Sequence, residues 1–230
     1  MYKLIRLELK RNKLKPYYTA LVIISIVMTG FLYLIATIAK VEKVELFSEY
    51  GNILKMHTVI TFIVFSVFSV VLFSKFVIED YSRQRALLLF SYPVSRTKIF
   101  AAKLILVSGF ITAGFLVSTL IPNILFFITE SFAPILGGNI RASIVLAQLM
   151  NVISFILAIL SIGFISLRIG FINKSVSGTI VTAILLAAVL GNVLMGLGAS
   201  IYAFIGVIIF FAIGLGFAKS TNNQINKMEV

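Results

Sequence analysis

Residues 17–39 read YYTALVIISIVMTGFLYLIATIA, 23 consecutive positions without one charged side chain. As an α-helix rising 1.5 Å per residue this stretch is about 34 Å long, enough to cross a hydrocarbon layer of about 30 Å. It is too long for a signal-peptide core and no small-residue cleavage pattern follows it, so the reading is a retained membrane span.

The rest of the chain repeats the pattern. Of 230 residues, 60% are hydrophobic and 12% charged, too few polar groups to cover a water-facing globule. A soluble domain is excluded, and roughly 20–23 residues per crossing allows about six spans. They are expected at about 17–39, 56–77, 104–128, 142–167, 176–196 and 199–218. The last two share an apolar run of roughly 43 residues, about twice what one crossing uses, so it folds back near Gly196 to Gly198. Thr129 to Arg141, with Pro134 and Gly137-Gly138, forms an outer link.

Residues 1–16, MYKLIRLELKRNKLKP, interleave six Lys and Arg with Leu4, Ile5, Leu7 and Leu9, the pattern of an amphipathic helix lying on a membrane surface. The expected fold class is therefore an all-α membrane protein. It has six transmembrane helices, an N-terminal interfacial helix, a short cytosolic coupling helix within 79–98 between spans two and three, and a polar tail at 219–230.

Charge sets the orientation. With both termini inside, segments 1–16, 75–103, 168–174 and 219–230 hold sixteen of the twenty Lys and Arg, and the outer segments hold Lys40, Lys43, Lys55 and Arg141. That asymmetry places both termini in the cytosol. The net charge of +12 then faces an anionic inner leaflet, and nucleic acid is not needed to explain it.

Composition also bounds the chemistry. No cysteine means no disulfide, thiol nucleophile or thiolate metal site. His57, the one histidine, reads as a solvated group at the outer start of span two. Gly198-Ala199-Ser200 matches Gly-x-Ser only superficially, because that chemistry needs a base and His57 precedes it in the wrong order. Neither a phosphate-binding Gly-rich loop nor a dinucleotide fingerprint occurs, so the chain is expected not to be an enzyme. No span carries Asp, Glu, Lys or Arg near its middle, where ion-coupled carriers and pumps place them. The interior polar candidates are neutral: Asn123 beside Pro122, Gln148, Asn151 and Asn192. Interhelical hydrogen bonding is their ordinary role, and substrate contact the less common one.

A bundle without internal ion-coupling groups is a passive pore, a scaffold, or a machine driven from outside. The third option needs a cytosolic handle, and IEDYSRQRALLLFSYPVSRTKIFAAK, residues 78–103, can form one. Glu79, Arg83 and Arg85 precede the apolar cluster Leu87, Leu88, Leu89 and Phe90, then Pro93 and a basic return at Arg96. A Leu/Phe face of this kind docks on a partner, and the same segment also suits an interfacial anchor.

The phrase Glu79, Leu87-Leu88, Tyr92-Pro93-Val94-Ser95-Arg96, Lys98-Ile99 and Lys103 resembles the segment between spans two and three of type-2 ABC exporter permeases. The bacitracin-resistance, lantibiotic-immunity and cytolytic-peptide-export branches are the most similar in size. Tyr81 to Arg85 departs from the Gly-Thr pair that many members have there. The resemblance implies a coupling helix resting on a separate ATPase subunit that holds ATP and magnesium, with residues 1–16 as a connecting helix beside it. Glu79, Arg83 and Arg85 would stand at the membrane end, Leu87 to Phe90 against the ATPase, and Pro93 with Arg96 at the turn into span three. It further implies a second permease copy or a paralogue as partner, a bacterial plasma membrane, and an amphipathic or hydrophobic substrate such as a peptide, antibiotic or lipid-linked molecule. A membrane scaffold or sensor, or an ion-independent facilitator, is the alternative from another class.

Overall fold

A computed structural model describes residues 2–11, 14–42, 49–81, 95–135, 142–173, 176–198 and 200–226, all of them helices and their short connections. Among the described residues seven α-helices follow in order: α1 (Tyr2–Arg11), α2 (Lys15–Glu42), α3 (Tyr50–Phe73), α4 (Arg96–Phe132), α5 (Ala142–Asn173), α6 (Val176–Leu197) and α7 (Ile201–Asn226). Six of these, α2 to α7, are long and apolar enough to cross a membrane.

Several helices outrun the hydrophobic stretch that marks them. Span two, expected from about 56, begins at Tyr50 and continues past Phe73 through a π turn (Ser74–Ile78) and a 3-10 turn (Glu79–Tyr81). Span three, expected from about 104, begins at Arg96 and runs 37 residues to Phe132. At 1.5 Å per residue that is about 55 Å, far more than the hydrocarbon layer needs. Glu130, expected in the outer link, lies inside α4. Hydropathy marks where lipid is met, whereas the helix continues for as long as nothing interrupts its backbone bonding. Pro122 sits within α4 without ending it; its missing N–H leaves only the Ser118 carbonyl without a helical partner.

Side-chain pairs between helices fix the topology. α2 and α4 run parallel, since Tyr18 meets Phe110 with ring centroids 5.1 Å apart, Ser25 bonds Ser118 at 2.7 Å, and Tyr33 bonds Thr129 at 2.9 Å. α3 is antiparallel to α4: Phe65 stacks on Phe115 at 5.6 Å, with Tyr50 against Phe126 toward one end and Tyr81 against Phe100 toward the other. α5 is parallel to α3, through Gln148 with Thr58, Phe62 with Phe155 and Phe73 with Phe164. The six long helices therefore alternate in direction. α1, the start of α4 and the end of α7 lie at one end, where Thr97 and Asn226 hydrogen-bond at 3.0 Å.

Burial identifies the centre. In their most apolar windows α3 and α5 are 61% buried, against 22% for α2, α6 and α7, so α3 and α5 form the spine and the others pack around it. Close approach is purchased with small residues: a Cβ on Gly214 of α7 would stand 2.9 Å from the Ser161 Cα of α5, a spacing only glycine permits.

Candidate functional site

At the end of the bundle where α1 lies, the chain gathers four charges around one buried lysine. Lys103 sits two turns into α4 and is 1% exposed. A buried ammonium must satisfy three donors. Lys103 Nζ donates to Glu8 Oε2 at 3.0 Å, to the Phe76 carbonyl at 3.2 Å, and to Asp80. Arg11 closes the group, bonding Asp80 and standing 3.3 Å from Glu8 Oε2. Two cations and two carboxylates balance, with Lys103 and Glu8 held out of water and Arg11 at the exposed rim.

Each element supplies its residue for a local reason. α1 presents Glu8 and Arg11 one turn apart on the face turned to α4, with buried Leu14 just beyond. The π turn at Ser74–Ile78 widens the end of α3 and turns Phe76 and Val77 inward; such bulges concentrate at functional positions. The regular α pattern has ended there, and the Phe76 carbonyl is available to Lys103. Around the ions lies an aromatic collar: Tyr17 against Phe76 at 5.1 Å, Tyr81 against Phe100 at 6.3 Å and against Phe171 at 5.9 Å.

The cluster thus ties together three segments distant in sequence: the N-terminal helix, the end of span two and the start of span three. The last two are the anchor points of residues 82–94. Among the described residues, the stretch after Phe73 continues span two as turns and contains no separate coupling helix. Arg83, Arg85, Leu87, Leu88, Leu89, Phe90 and Pro93 lie outside the described residues. Arg96 opens α4 and is half-buried, after Ser95 in extended conformation. Glu79 bonds Lys75 one turn back at 2.9 Å, near the surface. Of the two adjacent acids it is Asp80 that turns into the protein, and Glu8 is the partner that sequence reasoning missed. Its signal was present, since Glu8 is the sole acid before Glu42 in a strongly basic stretch.

The neutral candidates separate. Gln148 is buried and donates to Thr58 Oγ1 at 2.6 Å, joining α5 to α3. Asn123 is buried, and neither of its amide atoms finds a hydrogen-bond partner among the described residues. Asn151 is half-buried. Asn192 is exposed and bonds the Ala188 carbonyl of its own helix at 2.8 Å, so it joins no second helix among the described residues. His57 is not the solvated residue expected: it is wholly buried, and among the described residues neither ring nitrogen finds a partner at hydrogen-bond geometry. It lies two turns from Tyr50 on the same face of α3, and Thr119 lies two turns from Phe126 on α4. Because Tyr50 meets Phe126 across antiparallel helices, His57 stands level with Thr119.

The fold and this junction define a multi-pass, all-α membrane protein with six long apolar helices and a short N-terminal helix docked at one end. The chain is similar to the uncharacterised protein YcbO of Bacillus subtilis (strain 168), with 25% identity over 226 residues covering 98% of this chain and 99% of that one. No family model matches it, and no solved structure matches it.

Proposed function

We propose that the chain is the permease subunit of an ABC exporter. In this reading a separate ATPase subunit holds ATP and magnesium and performs the hydrolysis, and this chain performs no catalysis itself. Both termini and residues 82–94 face the cytosol of a bacterial cell, as the charge asymmetry favours. Six spans per chain call for a second copy or a paralogue to complete a pathway, and an amphipathic or hydrophobic substrate suits walls whose interior polar groups are neutral.

The observation that carries this reading is the ion cluster of Glu8, Arg11 and Asp80 around the buried Lys103, at the two anchor points of 82–94. A loop joining two independently mobile helices would absorb a push. Here the two helix ends are joined by ions, and α4 is one uninterrupted helix from Arg96 to Phe132. Displacement applied to 82–94 by a partner is therefore delivered to spans two and three together, and α1 moves with them. The resemblance of the motif around Leu87-Leu88 and Pro93 to ABC coupling segments supplies the partner's class.

The test is purification of the tagged chain from its native membrane. The expected result is a co-purifying ATPase without spans of its own, whose hydrolysis in lipid is stimulated by an amphipathic substrate, and loss of coupling in Leu88→Asp and Arg96→Asp. Absence of any ATPase, together with solute accumulation by the isolated chain on a proton or sodium gradient, overturns the reading.

A further inference from the structure

The face of α2 and α4 that turns away from α3 carries a groove of about 650 Å³, inside the range of about 300–1,000 Å³ typical of small-molecule sites. Its walls are Val22 and Ile26 of α2 and Ile105 of α4, and Ile5 and Leu9 of α1 also line it. Its depth comes from what is missing. A Cβ on Gly109 would meet nothing within 4 Å, whereas one on Gly114 would stand 2.5 Å from Leu21, so Gly114 marks the packed floor and Gly109 the open space above it.

Each helix that lines the groove also carries an exposed cation where it reaches the basic end. Lys98 lies two turns before Ile105 on the same stripe of α4, Lys15 two turns before Val22 on α2, and Arg6 directly follows Ile5 on α1. The acids of the adjoining cluster, Glu8 and Asp80, are engaged by Lys103 and Arg11. An apolar slot with cations at its foot complements a molecule with a long apolar tail and an anionic head.

We propose that this groove binds an anionic glycerophospholipid of the adjoining leaflet, one acyl chain lying between α2 and α4 and the anionic headgroup drawn to the exposed cations of the basic end, Arg6, Lys15 and Lys98. Basic pockets between spans on the cytoplasmic side hold such headgroups. A helix of a second copy would fill the slot but leave the three cations without a counter-charge. The inference rests on the orientation of the chain and not on its being a transporter.

The test uses the full chain in detergent, titrated with phosphatidylglycerol or with phosphatidylcholine of the same acyl chains, read by native mass spectrometry and by melting temperature. Phosphatidylglycerol is expected to bind and raise the melting temperature, and phosphatidylcholine to bind far more weakly. Gly109→Leu, which projects into open space, is expected to lose the bound lipid while melting normally without it. The pair Lys15→Gln and Lys98→Gln is expected to weaken phosphatidylglycerol about thirtyfold, as removal of two surface cations implies, and to leave phosphatidylcholine unchanged. Equal binding of the two lipids by the unaltered chain, retention of phosphatidylglycerol by Gly109→Leu, or loss of a dimer rather than of lipid in that variant overturns the proposal.

Discussion

The two ends of the antiparallel pair α3 and α4 solve the same problem differently. At the end far from α1, the Tyr50 hydroxyl donates to Glu130 Oε1 at 2.7 Å and the Ile135 N–H donates to Oε2 at 3.0 Å. Phe126 lies 6.3 Å from Tyr50 and 5.8 Å from Tyr33. The parts are a carboxylate, a hydroxyl and rings, and hydrogen bonds between the helices join α2, α3 and α4 across 80 to 96 residues of sequence. At the basic end, Lys103 gathers two carboxylates and a carbonyl from segments 23 to 95 residues away. One end rests on a lysine shared by two carboxylates and a carbonyl, the other on a carboxylate shared by a hydroxyl and a backbone amide. The contrast teaches that the basic end is held by mutual neutralisation of charge among α1, the end of span two and the start of α4.

Removing the centre of the cluster tests that contrast most severely. Lys103→Met takes the buried cation away from Glu8 and Asp80, and loss of one partner from a buried ion group costs about 3–5 kcal/mol. A large fall in melting temperature in detergent is expected. Adding Glu8→Gln and Asp80→Asn to Lys103→Met is expected to restore much of that stability, because the penalty lies in the stranded charge and not in the missing contact. No recovery in the triple variant would mean that the lysine stem, and not its charge, holds the junction.

The end far from α1 is expected to yield less. Tyr50→Phe removes one hydrogen bond to a carboxylate and keeps the ring, a loss of about 1.5–3 kcal/mol. The smallest effect belongs to Glu79→Gln: its partner Lys75 is one turn away and half-exposed, and exposed pairs of this spacing contribute about 0.3–0.5 kcal/mol. The same melting series carried to Asp80→Asn separates adjacent residues, with a large fall at Asp80 and almost none at Glu79. Equal effects would erase the distinction between the acid that faces inward and the one that does not.

Much of the fold was legible in the sequence, for a physical reason. Lipid admits few structures besides uncharged helices, so runs such as residues 17–39 announce themselves, and all six candidate spans appear as helices. Helix ends were less legible. Arg96 to Ala102 and Tyr50 to Lys55 are helical outside the apolar core, where polar residues are tolerated and hydropathy is silent. The junction itself was half visible: Asp80 and Lys103 stood in the segment singled out by its motif, but Glu8 lies 95 residues from Lys103, and nothing local shows that an acid in a basic amphipathic helix turns inward. His57 misled because its position near the outer start of a span suggested water, whereas two turns of α3 place it beneath the Tyr50 and Phe126 rings.

The central claim is that the ion cluster transmits a partner's stroke from residues 82–94 into spans two and three. Its most direct test is the variant combining Glu8→Gln, Asp80→Asn and Lys103→Met, reconstituted with the co-purified ATPase in liposomes, with hydrolysis and substrate movement measured in one sample. ATP hydrolysis that continues while transport collapses is the result predicted here. Transport per ATP equal to that of the unaltered protein would contradict it.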